Sequence, residues 1–206
     1  FLDPNTFSEE GTVALSGFSV SNDTKYVAYG ISNAGSDWRD FFVKEIESGK
    51  KLDDHLEWIK SSEISWLGNG FFYSRFDAPE EGEQLKGENL NSRVLYHRVG
   101  TQQSEDVLIY KDDRHPEWSF YAEVTEDDQY MVLSAIESTS GNAIAFRKAG
   151  LNSQPFTWLD KSFEYDYHVI GNKDNQLYVR TNYQAPRYRL VRINLDHPEK
   201  ENWVDI

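Results

Sequence analysis

The chain has 206 residues, of which 38 % are hydrophobic and 15 % aromatic, a composition typical of a packed globular protein and not of a disordered one. Its formal net charge of −14 at pH 7 repels nucleic-acid phosphates and anionic membrane surfaces, so neither is an expected partner. It has no cysteine, which excludes disulfides, thiolate metal sites and a cysteine nucleophile.

The first predicted unit spans residues 12–60 and begins with two short strands joined by an acidic turn. Residues 18–21 (Phe-Ser-Val-Ser) alternate apolar and polar side chains, and Asn22-Asp23 follows as the turn. A Tyr-rich strand then runs over 26–29, and a longer strand over 41–46. Alternation with a period of two, interrupted by Gly, Asn and Asp, predicts strands and tight turns and not helices.

The same order of features recurs three more times along the chain. Each copy has a short apolar strand, a turn rich in Gly, Asn or acidic residues, and a second strand. The corresponding positions Tyr26, Phe71, Tyr130 and Leu177 are roughly 45 to 60 residues apart, a spacing expected for four-stranded propeller blades. The strand, turn and strand of the three later copies are 64–66, 67–70 and 71–73; 122–124, 126–128 and 130–133; and 168–170, 171–174 and 177–179.

These repeats predict an all-β fold, a β-propeller of about four consecutive four-stranded blades, with approximate limits at 12–60, 61–115, 116–162 and 163–206. One blade cannot cover both of its apolar faces, so each needs a neighbour on either side. A two-sheet sandwich also uses many short strands, but the long fixed repeat disfavours it. Because such a set of blades leaves two faces uncovered, the chain alone is expected to self-associate.

The polar, Gly-containing stretch 77–91 interrupts the second unit. Its composition predicts a long surface loop between the second and third strands of that blade. No function is assigned to it.

The sequence lacks the motifs that carry hydrolytic or metal chemistry. No Gly-x-Ser-x-Gly pentapeptide is present, the motif that forms the nucleophile elbow of α/β-hydrolases. The histidines are scattered, with no His-x-x-x-His pair. His97 and His168 fall inside predicted strands, where a structural histidine is favoured over a general base. We therefore expect no catalytic residue, no metal and no cofactor.

Three acidic clusters leave two interpretations open. They are Asp53-Asp54, Asp112-Asp113 and residues 126–128. Carboxylates collect hard cations such as calcium, but none of the clusters has a spaced Asp-x-Asp-x-Asp-Gly loop. Acidic β-turns whose side chains bond their own backbone are the favoured interpretation.

Seven short segments along almost the whole chain carry a resemblance to a known family. They are Leu-Asp-Pro-Asn (2–5), Gly-Thr-Val-Ala-Leu (11–15), Tyr-Val-Ala-Tyr-Gly (26–30), Gly-Ser-Asp-Trp (35–38), Leu-Tyr-His (95–97), Gly-Thr-Gln-Gln-Ser-Glu-Asp (100–106) and Ala-Pro-Arg-Tyr-Arg-Leu (185–190). In this order and at these separations they resemble the propeller domain of the prolyl oligopeptidase (prolyl endopeptidase) family, serine peptidases that cut short peptides after proline. Each segment alone is weak evidence, and the ordered set is specific.

The resemblance implies a domain without catalytic groups. The family pairs an α/β-hydrolase domain, which carries serine, aspartate and histidine, with a seven-bladed propeller that covers the active site and admits only short peptides. The chain is therefore expected to be a fragment of that ring, inactive alone, which gates access and walls the cavity. Its expected partners are the hydrolase domain of the same polypeptide and short proline-containing peptides, in the cytoplasm or a bacterial periplasm. A stand-alone propeller used as a protein-interaction platform is the alternative.

The resemblance also implies five residues of the substrate cavity. The Gly-Ser-Asp-Trp segment matches a family loop that faces the hydrolase domain, which makes Asp37 and Trp38 candidates. A turn whose tryptophan packs between blades is the alternative interpretation. In better-known members apolar side chains line the pocket for the residue two before the cleaved bond, and the matching positions here are Ser61, Ser119 and Thr139. Since these three are small and polar, we expect weak discrimination at that subsite.

Overall fold

The computed structural model describes residues 1–8, 10–80, 82, 88–152 and 154–206. Regular structure in these ranges is almost entirely β-strand, which confirms the predicted all-β class. Within them no helix is long or apolar enough to span a bilayer. Of the predicted loop at 77–91, positions 81 and 83–87 lie outside the described residues. The short helical segments are the 3₁₀ turns Pro4–Thr6, Gln103–Glu105 and Lys200–Asn202.

The strands form four antiparallel sheets of four strands, and each sheet follows sequence order. The chain divides into two compact units, Phe1–Glu117 and Trp118–Ile206. Each unit holds two sheets, called blades one to four in chain order. Every blade is thus a simple meander in which strands that follow one another in sequence pair with one another, as the repeats predict.

The strands are numbered β1–β16 along the chain. Blade one contains β1 (Val13–Val20), β2 (Tyr26–Asn33), β3 (Trp38–Glu45) and β4 (Lys51–Lys60); blade two contains β5 (Ser65–Leu67), β6 (Gly70–Arg75), β7 (Arg93–Arg98) and β8 (Val107–Tyr110). Blade three contains β9 (Ser119–Val124), β10 (Tyr130–Ile136), β11 (Ala143–Lys148) and β12 (Thr157–Asp160); blade four contains β13 (Tyr167–Lys173), β14 (Gln176–Thr181), β15 (Arg189–Asn194) and β16 (Val204–Asp205).

Each unit has an apolar core to which both of its blades contribute. Alternate side chains of a strand point to opposite faces, so each blade presents an apolar face to its neighbour. In the first unit the core residues are Ala28, Phe41, Val43, Leu56 and Ile59 from blade one and Trp66, Phe71, Tyr73, Leu95 and Val99 from blade two or its edges. In the second unit they are Tyr130, Val132, Ile144, Phe146 and Leu159 from blade three and Tyr167, Leu177, Val179, Val191, Ile193 and Leu195 from blade four or its edges.

Acidic side chains close the first hairpin turns of blades one and three, as the sequence predicts. In blade one Asp23 Oδ1 accepts hydrogen bonds from the Lys25 N–H at 3.1 Å and the Ser21 hydroxyl at 2.8 Å. In blade three Asp127 Oδ1 accepts from the Gln129 N–H at 3.1 Å in the same way. A carboxylate that bonds the backbone two residues on replaces the hydrogen bonds that the turn cannot make with a neighbouring strand.

The prediction of an acidic turn is wrong for Asp53-Asp54. Both residues lie in β4, and Asp54 is only 2 % exposed. Asp54 Oδ1 accepts hydrogen bonds from His97 Nε2–H at 2.9 Å and from the Gly100 N–H at 2.7 Å. Asp54 Oδ1 is therefore bonded by the neighbouring blade, through partners more than 40 residues away, which no local pattern indicates. Its other oxygen, Oδ2, is buried and has no hydrogen-bond partner.

His97 lies on β7 between two carboxylates, one from each blade of the first unit. Its side chain is fully buried, and its Nδ1 lies 2.7 Å from Asp106 Oδ1 while its Nε2 faces Asp54. The Tyr73 hydroxyl donates to the other Asp106 oxygen at 2.7 Å. A buried charge is tolerated where it is paired and hydrogen-bonded in this way. The predicted structural role of His97 is confirmed.

The His97 contact makes the stability of the first unit pH-dependent. Burial alone lowers the pKa of His97, but the hydrogen bonds to Asp106 and Asp54 outweigh it and raise the pKa from 6.5 to about 9. Because the folded pKa lies above the unfolded one, this stabilisation is complete below pH 6.5 and is lost as the pH rises through about 9.

Urea unfolding between pH 6.5 and 10 tests this dependence. We expect the free energy of unfolding to fall by up to about 3 kcal/mol more in the native chain than in a His97→Leu variant, which has no proton to lose at this position. Parallel pH curves for the two proteins would contradict the prediction.

Candidate functional site

Each blade has one end at which its second strand leads into its third, called the rim end below. In blade one, Asp37 precedes β3 and Trp38 begins it. Ser61 directly follows β4, whose last residue Lys60 pairs with Trp38 across the two strands. Antiparallel pairing therefore brings three of the predicted cavity residues to the rim end of blade one.

The other two predicted residues lie together in blade three. Ser119 is the first residue of β9 and pairs with Ile136, the last residue of β10. Thr139 follows in the loop that leads to β11 and is exposed, while Ser119 is half-buried. The five predicted residues thus form two groups, one in each compact unit, and each group lies at a rim end.

Trp38 packs in an aromatic cluster at the rim end of blade one. Its ring meets Trp58 edge to face at 5.8 Å and Phe76 at 6.3 Å between centroids. The Lys60 ammonium lies 5.1 Å from the Trp38 centroid and 3.8 Å from the Asp37 carboxylate. Since Phe76 follows β6, Trp38 packs between blades one and two, while 82 % of the Asp37 side chain stays exposed.

The backbone beside this cluster is strained. Trp58 has a φ of +62° and Ser61 a φ of +56°, although neither is glycine. Side chains in this left-handed region cost about 1–2 kcal/mol each. The Trp58 carbonyl is held by the Phe76 N–H at 3.0 Å, so packing fixes the conformation. Such strain clusters at functional sites. Aromatic residues near strand ends are the only feature of the sequence that points to it.

The loop that carries Thr139 is anchored to the chain that enters blade four. The Gly141 N–H donates to Asp166 Oδ1 at 2.9 Å. Asn142 bridges the backbone of Tyr167 with both ends of its amide, accepting from the N–H at 2.7 Å and donating to the carbonyl at 3.2 Å. These bonds replace the strand pairing that the loop lacks and hold it in one position.

Asp166 connects the rim ends of blades three and four. Besides Gly141, it accepts hydrogen bonds from the Tyr188 hydroxyl at 2.6 Å and from Asn182 Nδ2–H at 2.9 Å. The bonds from Tyr188 and Gly141 hold the pKa of Asp166 below its ordinary value. Sequence reasoning missed Asp166, because its partners are spread along the chain from Gly141 to Tyr188.

The two rim ends carry groups that can form hydrogen bonds and aromatic stacking contacts. An exposed carboxylate, three hydroxyls and an aromatic cluster can accept, donate and stack against a peptide backbone or a proline ring. Within the part of the chain that the structure describes, no group of His, Asp or Glu side chains is arranged so that it could hold a metal ion.

Sequence comparisons show which known proteins this chain is similar to. A family model described as the prolyl oligopeptidase N-terminal β-propeller domain matches residues 1–206. The chain is 40 % identical over its full length to a prolyl endopeptidase of Elizabethkingia meningoseptica, of which it covers 29 %. It is 37 % identical, over 97 % of its length, to prolyl oligopeptidase A of Amanita bisporigera, again covering 29 %. The chain thus spans under a third of the length of these relatives.

Solved structures give the same match. Prolyl oligopeptidase B of Galerina marginata, bound to a 35mer hydrolysis and macrocyclization substrate, aligns with a TM-score of 0.85 at 29 % identity, covering 98 % of this chain and 30 % of that one. A structure from a study of two prolyl endopeptidases aligns with a TM-score of 0.86 over 100 % of this chain and 28 % of that one.

Proposed function

Because the chain belongs to the prolyl oligopeptidase family and matches its N-terminal β-propeller domain, we propose that it is the non-catalytic propeller portion of a serine endopeptidase that cleaves short peptides after proline. The observation that carries the proposal is the family match over all 206 residues. No Gly-x-Ser-x-Gly motif occurs in the sequence, so the serine nucleophile is assigned to a hydrolase domain of the same polypeptide.

In this proposal the propeller acts as a size filter. A filter must keep its shape while a large substrate presses on it, and the rim loops are held by specific bonds, such as those from Gly141 and Tyr188 to Asp166. The apolar cores of both units also resist deformation, because close-packed interiors have low compressibility. The blades would thus admit a short peptide and exclude a folded protein.

Cleavage of substrates of different length tests the filter. The full-length gene product is assayed with two substrates that contain the same proline site. In one the site lies in a peptide of about ten residues, and in the other it lies inside a stable folded domain. We expect kcat/KM to be lower for the domain by more than tenfold, about 1.4 kcal/mol in transition-state free energy. Equal kcat/KM values for the two substrates would contradict the proposed size filter and would leave the proposed proline specificity intact.

In the same proposal Asp37, Trp38, Ser61, Ser119 and Thr139 wall the substrate cavity. The exposed carboxylate of Asp37 is available to a hydrogen-bond donor, and Trp38 presents a half-buried ring. Ser61, Ser119 and Thr139 contribute hydroxyls, which offer little apolar area for a side chain to bury.

The small hydroxyl residues predict weak discrimination at the subsite two before the cleaved bond. Among peptides that differ only there, we expect kcat/KM of the full-length protein to vary by less than about tenfold between apolar and polar side chains. Changing both Ser119 and Thr139 to valine should create an apolar preference. A strong apolar preference of the unaltered protein would contradict the prediction.

We also predict that the isolated chain self-associates. Phe18 is 63 % exposed and Val20 43 % exposed on β1, and Ile170 is 54 % exposed on β13. Apolar surface of this kind tends to pair in water. Light scattering should give a mass above that of the monomer, and Phe18→Ser should lower it. A clean monomer at high protein concentration would refute the prediction.

A further inference from the structure

Three tyrosine rings surround one lysine ammonium in the second unit. Lys200 begins the last 3₁₀ turn, just before β16, and its Nζ lies 4.5 Å from the Tyr183 ring centroid. The centroids of Tyr165 and Tyr167 lie 5.6 Å and 6.0 Å away. All three distances are within the range at which an aromatic ring attracts a cation.

A carboxylate from blade three completes the enclosure. Asp160 Oδ2 lies 2.5 Å from the Lys200 Nζ, and its side chain is 6 % exposed. The same oxygen accepts from the Tyr167 hydroxyl at 2.5 Å, and the Ser162 N–H donates to Asp160 Oδ1 at 2.9 Å. Burial raises the pKa of Asp160, but hydrogen bonds from Lys200, Tyr167 and Ser162 outweigh it and hold the pKa below its ordinary value. The enclosure thus contains a negative charge.

The walls are fixed by contacts that do not involve the lysine. Tyr165 meets Tyr183 edge to face at 5.0 Å and 85°. Trp203 meets Tyr183 at 5.7 Å and Tyr167 at 5.9 Å, and its indole N–H donates to the Pro198 carbonyl at 2.9 Å. Edge-to-face aromatic pairs are favourable in themselves, so the rings keep their orientation when the ammonium is removed.

Other lysines of the second unit make simpler contacts. Lys148 lies 3.9 Å from the ring of Tyr130, and Lys161 lies 4.7 Å from the ring of Trp158. Among the described lysines, only Lys200 has its ammonium within about 6 Å of more than one aromatic ring. An ordinary surface ion pair would need only Asp160.

We propose that Asp160, Tyr165, Tyr167 and Tyr183 form an ammonium-binding cage, occupied in this chain by Lys200 and able to hold a methylated or quaternary ammonium group in its place. Aromatic walls attract such cations without demanding that they donate hydrogen bonds. The cage joins the last strand of blade three to the segment that leads into β16, so its occupancy also secures the short final strand.

A cysteine at position 200 gives a direct test, because the chain has no other cysteine. The Lys200→Cys protein is alkylated with bromoethylamine, with bromoethyl-trimethylammonium, or with iodoacetamide, which supply an ammonium, a quaternary ammonium and a neutral amide. The melting temperature of each product is compared with that of the unmodified chain. Lys161→Cys, treated identically, is the control, since Lys161 faces a single ring.

We expect both cationic products at position 200 to melt about 2–4 °C above the neutral one, with no such difference at position 161. If Lys200→Cys is unfolded, the cationic labels must restore a cooperative transition and the neutral label must not. Equal melting temperatures for the three products at position 200 would contradict the proposed cage. Recovery by the primary ammonium alone would show an ion pair with Asp160 and overturn the quaternary site.

Discussion

His97→Ala lowers the free energy of unfolding by about 3–5 kcal/mol, because it leaves two buried carboxylates without their shared counter-ion. Asp54 is 2 % exposed, and the Asp106 side chain is 1 % exposed. Neither can turn to water without opening the contact between blades one and two. The removed ring also leaves a cavity against Phe71, whose centroid lies 5.4 Å away.

The matched control is His55→Ala. His55 also faces an aspartate, Asp40, at 3.1 Å, but its side chain is 45 % exposed. An exposed pair of this kind contributes about 0–1 kcal/mol. Urea unfolding of both variants at pH 7 measures the difference. Similar losses for the two would show that burial between Asp54 and Asp106 does not matter.

Gly141→Ala is the second large effect, and we expect it to cost about 2–5 kcal/mol. Gly141 has a φ of +73°, and a Cβ atom there would lie 1.9 Å from the Phe163 carbonyl oxygen. The left-handed backbone accounts for about 1–2 kcal/mol, and the overlap with a backbone atom adds about 1–3 kcal/mol. The loop that carries Thr139 must shift to relieve it.

Gly35→Ala separates the two contributions. Gly35 has nearly the same φ, +74°, but a Cβ atom there meets nothing within 4 Å. Its replacement should therefore cost only the backbone strain, about 1–2 kcal/mol. Chemical denaturation of the two variants gives both values. Equal destabilisation would mean that the Phe163 overlap is relieved without cost, against the prediction.

The blades were predictable because they rest on local patterns. Alternating side chains indicate the strands, and Asp23 and Asp127 bond backbone groups two residues away, within the reach of a turn rule. The ordered family segments then identified the propeller, which the comparisons confirm. The five predicted cavity residues came from the resemblance, and their role in the cavity stays a prediction.

The contacts between blades were not predictable from local patterns. The local pattern predicts a turn at Asp54, yet its partner His97 lies 43 residues further along the chain. Lys200 meets Asp160 across 40 residues. The strained φ of Trp58 likewise depends on packing against Phe76. Such pairs form only after the meanders fold and stack, so a single sequence gives no periodic signal for them.

Hydrolysis of a short chromogenic peptide, with proline before the cleaved bond, tests the central claim most directly. The measurement compares this 206-residue chain with the full-length gene product. The account predicts activity in the full-length protein and none in the chain alone. Activity of the chain alone would contradict its non-catalytic assignment. If neither protein were active, the peptidase assignment would be contradicted, and a propeller that serves as an interaction platform would be favoured.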